Sequence, residues 1–212
     1  MISNLKNILI LAPHTDDGEL GAGGTIAKLI ENGANVWYAA FSTAEESVPQ
    51  GYPKDILKQE VKAATQKLGI PSENLLIFNY QVRKLNYVRQ EILEELIKIG
   101  KAQKFDAVFM PTLGDIHQDH STIANEGRRA FKTTTLLGYE LIWNNLSFNT
   151  QCFVKLEQRH VDSKVAALGE YKSQSHRDYM KADFITSLAR ARGVQIGAQY
   201  AEAFEVLRWV MD

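Results

Sequence analysis

Cysteine occurs once in the 212 residues, at Cys152, which excludes an internal disulfide framework and any zinc site built on thiolates. Neither sign of charge dominates: 24 Lys and Arg stand against 25 Asp and Glu, a formal net charge of -1. That balance lacks the basic footprint of a nucleic-acid binder or of a protein held on an anionic membrane surface. Long apolar runs are missing as well. The opening MISNLKNILILAPHTDDGEL holds an apolar stretch too short to span a bilayer. It also has neither the charged start nor the small-residue cleavage pattern of a signal peptide. The expectation is a soluble cytoplasmic protein with no nucleic-acid or membrane partner. Internal repeats and low-complexity tracts are absent too.

What is present is enough apolar material for a core: 45% of the residues are hydrophobic. A single domain over residues 1–212 is expected. Strand-like and helix-like segments alternate through the first two thirds. Ile8 to Ala12 reads as a strand, and GGTIAKLIENG as a helix starting near Thr25 and stopped by Gly33. ANVWYAAFS is apolar at nearly every position, as in a strand with both sheet faces covered. Lys54–Leu68 and Val88–Ile99 carry helical periodicity, and NLLIFNY, FDAVFMP and LLGYELIW read as further strands. Ser121 is placed as the cap of a helix running to about Phe131. The repeating units predict an α/β fold: a doubly wound, Rossmann-like, mainly parallel sheet flanked by helices. Beyond Asn144 a strand at Cys152–Leu156, two helical stretches and a late strand AFEVLRW form a C-terminal αβ extension, expected to close over one end of the sheet.

Two polar clusters follow strands in this reading. HTDDGE, His14 to Glu19, comes after the first strand, and GDIHQDH, Gly114 to His120, after the fourth. In a doubly wound sheet of order 3-2-1-4-5 those two strands are neighbours, and ligands bind beyond their carboxyl ends. The clusters would then meet and offer His14, His117 and His120 with Asp16, Asp17 and Asp119. Carboxylates crowded at a strand end need a compensating positive charge. A mixed imidazole and carboxylate set suits a divalent transition metal, most often zinc, with one coordination position left for water.

APHTDDGELGAGGTIAKL together with GDIHQDHSTIANEGRRAF resembles the PIG-L/LmbE family of zinc-dependent N-acetylglucosaminide deacetylases. YKSQ (Tyr171 to Gln174) and YAEAF (Tyr200 to Phe204) continue the resemblance. It implies one Zn2+ per chain on His14, Asp17 and His120, other divalent transition metals also being compatible. It implies Asp16 as general base, His117 as the residue supporting the oxyanion, and Asp119 orienting His117 and keeping it protonated. Thr15 and Gln118 replace prolines usual in the two motifs and supply no ligand. Lys54 and Lys58 stand in a region where members often carry an arginine. Arg83 is kept after the third strand, while Gln81 stands where an Asp is common. The implied activity is removal of acetyl from an N-acetylated sugar conjugate, a small-molecule partner; the chain is compatible with a homo-oligomer. The rival is a non-catalytic sugar-binding relative with a structural metal site.

Arg83, Glu46 and Arg192 are the candidate substrate-binding residues. The glycines Gly18, Gly21, Gly23 and Gly24 have the spacing G-x-x-G-x-G-G and not the dinucleotide fingerprint, so nucleotide binding is not expected; they are read as letting the first helix pack against the sheet and admitting substrate near the metal. His160 and His176 are expected at surface or cap positions, and Trp37, Trp143 and Trp209 in the core.

Overall fold

The computed structural model describes residues 5–211; residues 1–4 and 212 of the expected domain lie outside the described residues. A seven-stranded sheet runs in the order β3-β2-β1-β4-β5-β7-β6. The strands are β1 Asn7–His14, β2 Asn35–Ser42, β3 Leu75–Ile77, β4 Ala107–Pro111, β5 Thr135–Tyr139, β6 Cys152–Leu156 and β7 Tyr200–Arg208. The first five pair in parallel, and β7 joins β5 and β6 antiparallel. The helices are α1 Asp17–Glu31, α2 Ile56–Leu68, α3 Arg89–Ala102, α4 Gln118–Ala130, α5 Gln158–Leu168 and α6 Ala182–Val194. None of them is long and apolar enough to cross a membrane.

The central strand shows why its apolar run has no alternation. Ile8, Ile10 and Ala12 pack into one core with Leu20, Val61 and Ile185, from α1, α2 and α6. Leu9 and Leu11 pack into a second core with Ile92, Leu96 and Ile123, from α3 and α4. Side chains alternate across a strand, so a strand covered on both faces needs apolar residues at every position. The sheet is doubly wound as expected, and the chain turns from β2 on one side of β1 to β4 on the other.

Several boundaries differ from the sequence reading, each for a physical reason. β1 continues to His14, whose partner in the register is Ser42. Helix α1 begins at Asp17 and runs through the glycines, so Thr25 lies in its middle. A Cβ on Gly18 would sit 2.5 Å from the Tyr38 ring, and one on Gly21 2.4 Å from that of Tyr139. The glycines here serve close packing of helix on sheet and do not break the helix. α4 starts at Gln118, capped by His117 and not by Ser121: the His117 Nδ1 accepts from the Asp119 N–H at 3.2 Å. β5 ends at Tyr139, which leaves Trp143 in the following loop. The C-terminal extension covers one end of the sheet only in part, through Gln174, Arg177 and Tyr179. It widens the sheet through β6 and β7, and the segment between α5 and α6 reaches back to the carboxyl ends of the strands.

Candidate metal centre

β1 delivers His14 at its last residue, and the next residues begin α1. Asp16 occupies the N-cap position yet makes no side-chain capping bond, which leaves its carboxylate free to face the cavity. Asp17, in the first turn, accepts the backbone N–H of His14 at 2.8 Å. Across the switch point, the loop after β4 brings His117 and the start of α4 brings His120. All five line one open cavity of about 540 Å³ at the carboxyl ends of β1 and β4, together with Arg83, Trp143, Gln174, Arg177 and Tyr179.

Three donor atoms form a nearly equilateral triangle. His14 Nδ1 lies 3.2 Å from Asp17 Oδ2, His120 Nε2 lies 3.2 Å from the same oxygen, and the two nitrogens are 3.2 Å apart. Tetrahedral bonds near 2.0 Å put neighbouring donors about 3.3 Å apart, so this face fits a zinc-sized ion with its fourth position open. The imidazoles of His14, His117 and His120 also offer nitrogens within 4.8 Å of one another. His117, however, spends Nδ1 on the Asp119 N–H and stands outside the tighter triangle.

Each imidazole in the triangle is backed by a carboxylate. His14 Nε2 donates to Asp119 Oδ2 at 2.9 Å, and His120 Nδ1 donates to Asp115 Oδ2 at 2.8 Å. That is the arrangement that fixes the tautomer and raises the basicity of a ligating histidine. Asp115 also accepts the His117 backbone N–H at 2.8 Å, so one buried carboxylate anchors two histidines. The sequence reading passed over Asp115, although it lies inside the quoted GDIHQDH.

The expectation for Asp119 is corrected. Its carboxylate is fully buried and holds His14, accepting also the backbone N–H of Arg83 at 2.6 Å and of Leu85 at 3.2 Å. It makes no side-chain bond to His117. Burial alone would raise the Asp119 carboxyl, but the bonds from His14 and Arg83 hold it below its usual range. His117 is pushed down by burial and by the neighbouring His120 and His14. The neutral ring, with Nδ1 accepting, carries its proton on Nε2. A donor is therefore available at His117 without a cation.

The two adjacent aspartates are pushed apart. Burial raises Asp16 to about 6, helped by the charge of Asp17. Asp17 is also buried, but His120 and His14 outweigh that and hold it well below the usual carboxylate range. Burial alone would lower the two imidazoles; Asp17, with Asp119 or Asp115, raises His14 to about 9 and His120 to about 10. A metal ion would replace those protons as the compensating charge.

Behind this face lies a support that the motifs alone did not reveal. Glu19, fully buried and raised to about 8 by burial, accepts from the hydroxyls of Tyr38 and, at 2.9 Å, Tyr171. Both tyrosines also contact the Thr15 carbonyl, at 2.9 and 2.7 Å. They pin the loop that carries Asp16. Tyr171 opens YKSQ, and Glu202 of YAEAF accepts the N–H groups of Gly24 and Thr25 within α1. The two C-terminal stretches thus brace the N-terminal motif.

The substrate-binding expectations fare unevenly. Arg83 lines the cavity, with Nη2 donating to Ser47 at 2.9 Å and its backbone in the left-handed region (φ 65°). Glu46 is exposed on the turn Glu45–Ser47 and does not line the cavity; Ser47 does. Arg192 is committed elsewhere: Nε and Nη2 donate to Glu140 and Nη1 to Gln195, away from the metal face. Trp143 is 36% exposed at the cavity wall and Trp209 51% exposed, so neither is core. His160 is a cap, its Nδ1 accepting from the Glu157 N–H at 3.0 Å.

Comparison with known proteins bears on the family and the fold. The profile of the PIG-L family, described as GlcNAc-PI de-N-acetylase, matches residues 9–131, which include both motifs. The uncharacterized deacetylase YaiS of Escherichia coli (strain K12) is 26% identical over 174 residues, covering 79% of this chain and 91% of that protein. A probable N-acetyl-alpha-D-glucosaminyl L-malate deacetylase 2 of Bacillus cereus is 24% identical over 204 residues, covering 80% and 84%. Among solved structures, N,N'-diacetylchitobiose deacetylase from Pyrococcus horikoshii superposes with a TM-score of 0.81 at 22% identity, covering 97% of this chain and 85% of that one.

Proposed function

This chain belongs to the PIG-L family, and from that premise we propose that it is a zinc-dependent hydrolase removing acetyl from an N-acetylglucosamine conjugate. His14, Asp17 and His120 would hold the metal. When bound, the metal lowers the pKa of water and polarises an amide carbonyl. The observation that carries the reading is Asp16: a carboxylate at a helix N-cap that caps nothing, beside the donor triangle, raised to about 6. Such a group accepts the proton of the attacking water at its carboxylate oxygen and returns it to the leaving nitrogen. His117 donates from Nε2 to the carbonyl oxygen as negative charge grows there. Asp119 and Asp115 act through His14 and His120, holding each ring in the tautomer that presents its other nitrogen to the metal. The Bacillus cereus relative's name supports a glucosaminyl substrate. We read the whole chain as one domain.

The test is an assay of zinc-loaded and chelator-stripped protein against a panel of N-acetylglucosamine conjugates, with free amine as the readout. Amine should appear with metal and vanish without it. A loaded protein that binds the conjugates and releases no amine would establish the sugar-binding relative instead.

A further inference from the structure

The cavity has a second wall, built from residues outside the two metal motifs. Trp143, in the loop after β5, stacks on Tyr179 with ring centroids 4.0 Å apart and planes 13° from parallel. Arg177 lies over the other partner of that stack, its guanidinium 5.6 Å from the Tyr179 centroid. Nη1 donates to the Tyr179 hydroxyl at 2.7 Å and Nε to Gln174 Oε1 at 2.7 Å. Gln174 is itself buried and braced against Ser173. An exposed arginine ordinarily loses much rotamer freedom on binding; this one is already held at two nitrogens, with Nη2 left over.

What the guanidinium lacks is an acid. Arg192, one of the two arginines named from the sequence, is satisfied by Glu140. Among the described residues no carboxylate lies in ion-pair range of Arg177 or of Arg83, and both line the cavity that holds the metal face. The two acids that line the cavity, Asp16 and Asp17, stand on the opposite, metal-binding side and belong to the metal chemistry. A flat aromatic pair beside a braced, unpaired arginine fits a sugar ring carrying an oxyanion.

We infer that Arg177 is a specificity-determining residue that binds a carboxylate or phosphate on the aglycone, while Trp143, the more exposed member of the stack, receives the sugar ring. This rests on the deacetylase reading for the identity of the sugar, not for the charge preference.

Three N-acetylglucosamine glycosides test it: that of glycolic acid, its methyl ester, and that of hydroxyethyl phosphate. Binding to the zinc-loaded protein is measured by calorimetry, and amine release on the same protein. At least one oxyanion conjugate should bind more tightly than the ester by about tenfold to a hundredfold, the range for a charge-assisted bond. The stronger of the two acids identifies which oxyanion the wall takes. Arg177→Gln should collapse the preference, mainly through KM, and Arg177→Lys should keep part of it, which shows that the fold survives substitution there. Equal binding of all three conjugates overturns the inference, as does a preference that Arg177→Gln leaves intact. An equal loss of kcat on all three would mean that Arg177 serves Asp16, and overturns it too. A charge preference in binding without amine release keeps the inference and ends the hydrolase reading; amine release without preference does the reverse.

Discussion

Asp16 and Asp17 are the same residue type in adjacent positions, and their surroundings send them opposite ways. Asp17 faces two imidazoles and stays ionised far below the ordinary range, whereas Asp16 faces the cavity and is raised to about 6 by burial. Pairs pushed apart in this way divide the work between ligand and base. A base must be deprotonated to act, so kcat/KM should rise with pH through the Asp16 pKa. A bound cation can only lower that value, so the acidic limb should fall at or below pH 6; a pH–rate profile with its limb well above 6 would assign the base elsewhere. Asp115 makes a separate prediction. Asp115→Ala removes the acceptor behind His120, so metal affinity should drop by about 10–100-fold, read by competition with a chelator. The metal motifs were legible because their residue types stand close together in sequence. Asp115 was not, since an aspartate after glycine is an ordinary turn residue until β4 and α4 fold it beneath His120. Arg192 and Arg177 show the same limit: sequence gives the charge but not whether a carboxylate already holds it.

At the scale of the element, α1 is unusual in being stitched from outside. Lys164 donates to the Leu20 carbonyl at 2.7 Å, and Glu202 accepts from Gly24 and Thr25 at 3.0 and 2.6 Å, in the same turn of the helix. The two side chains also pair with each other at 2.7 Å, both buried. Removing one partner of a buried pair strands the other, at a cost of about 3–5 kcal/mol. Glu202→Ala should therefore lower unfolding stability by that order in urea, and Lys164→Met combined with it should cost less than the sum of the two single changes. Additive losses would mean that the residues do not act as a unit. These partners also explain why α1 starts at Asp17 and not near Thr25. The role of the glycines in packing the first helix on the sheet is as expected; that the helix includes all four is not legible locally, because four glycines within seven residues disfavour a helix until tertiary partners (Tyr38, Tyr139 and this ion pair) hold it.

For the whole molecule, topology does what local sequence cannot: β1 and β4 become neighbours and close a site from motifs about a hundred residues apart. Their adjacency was legible, because alternating apolar runs and helical stripes leave few sheet orders open. The side-on attachment of β6 and β7 was not, because the pairing of β7 with β5, and of β6 with β7, depends on long-range register. The central claim is that this assembled site hydrolyses an amide with Asp16 as its base, and one measurement addresses it most directly: kcat and bound metal on the same preparations of wild-type and Asp16→Asn protein. Asparagine keeps the size of the side chain, loses no ligand and cannot take a proton. The expected result is full metal occupancy with kcat down by about 10²–10⁴. Full occupancy with near wild-type turnover would contradict the mechanism.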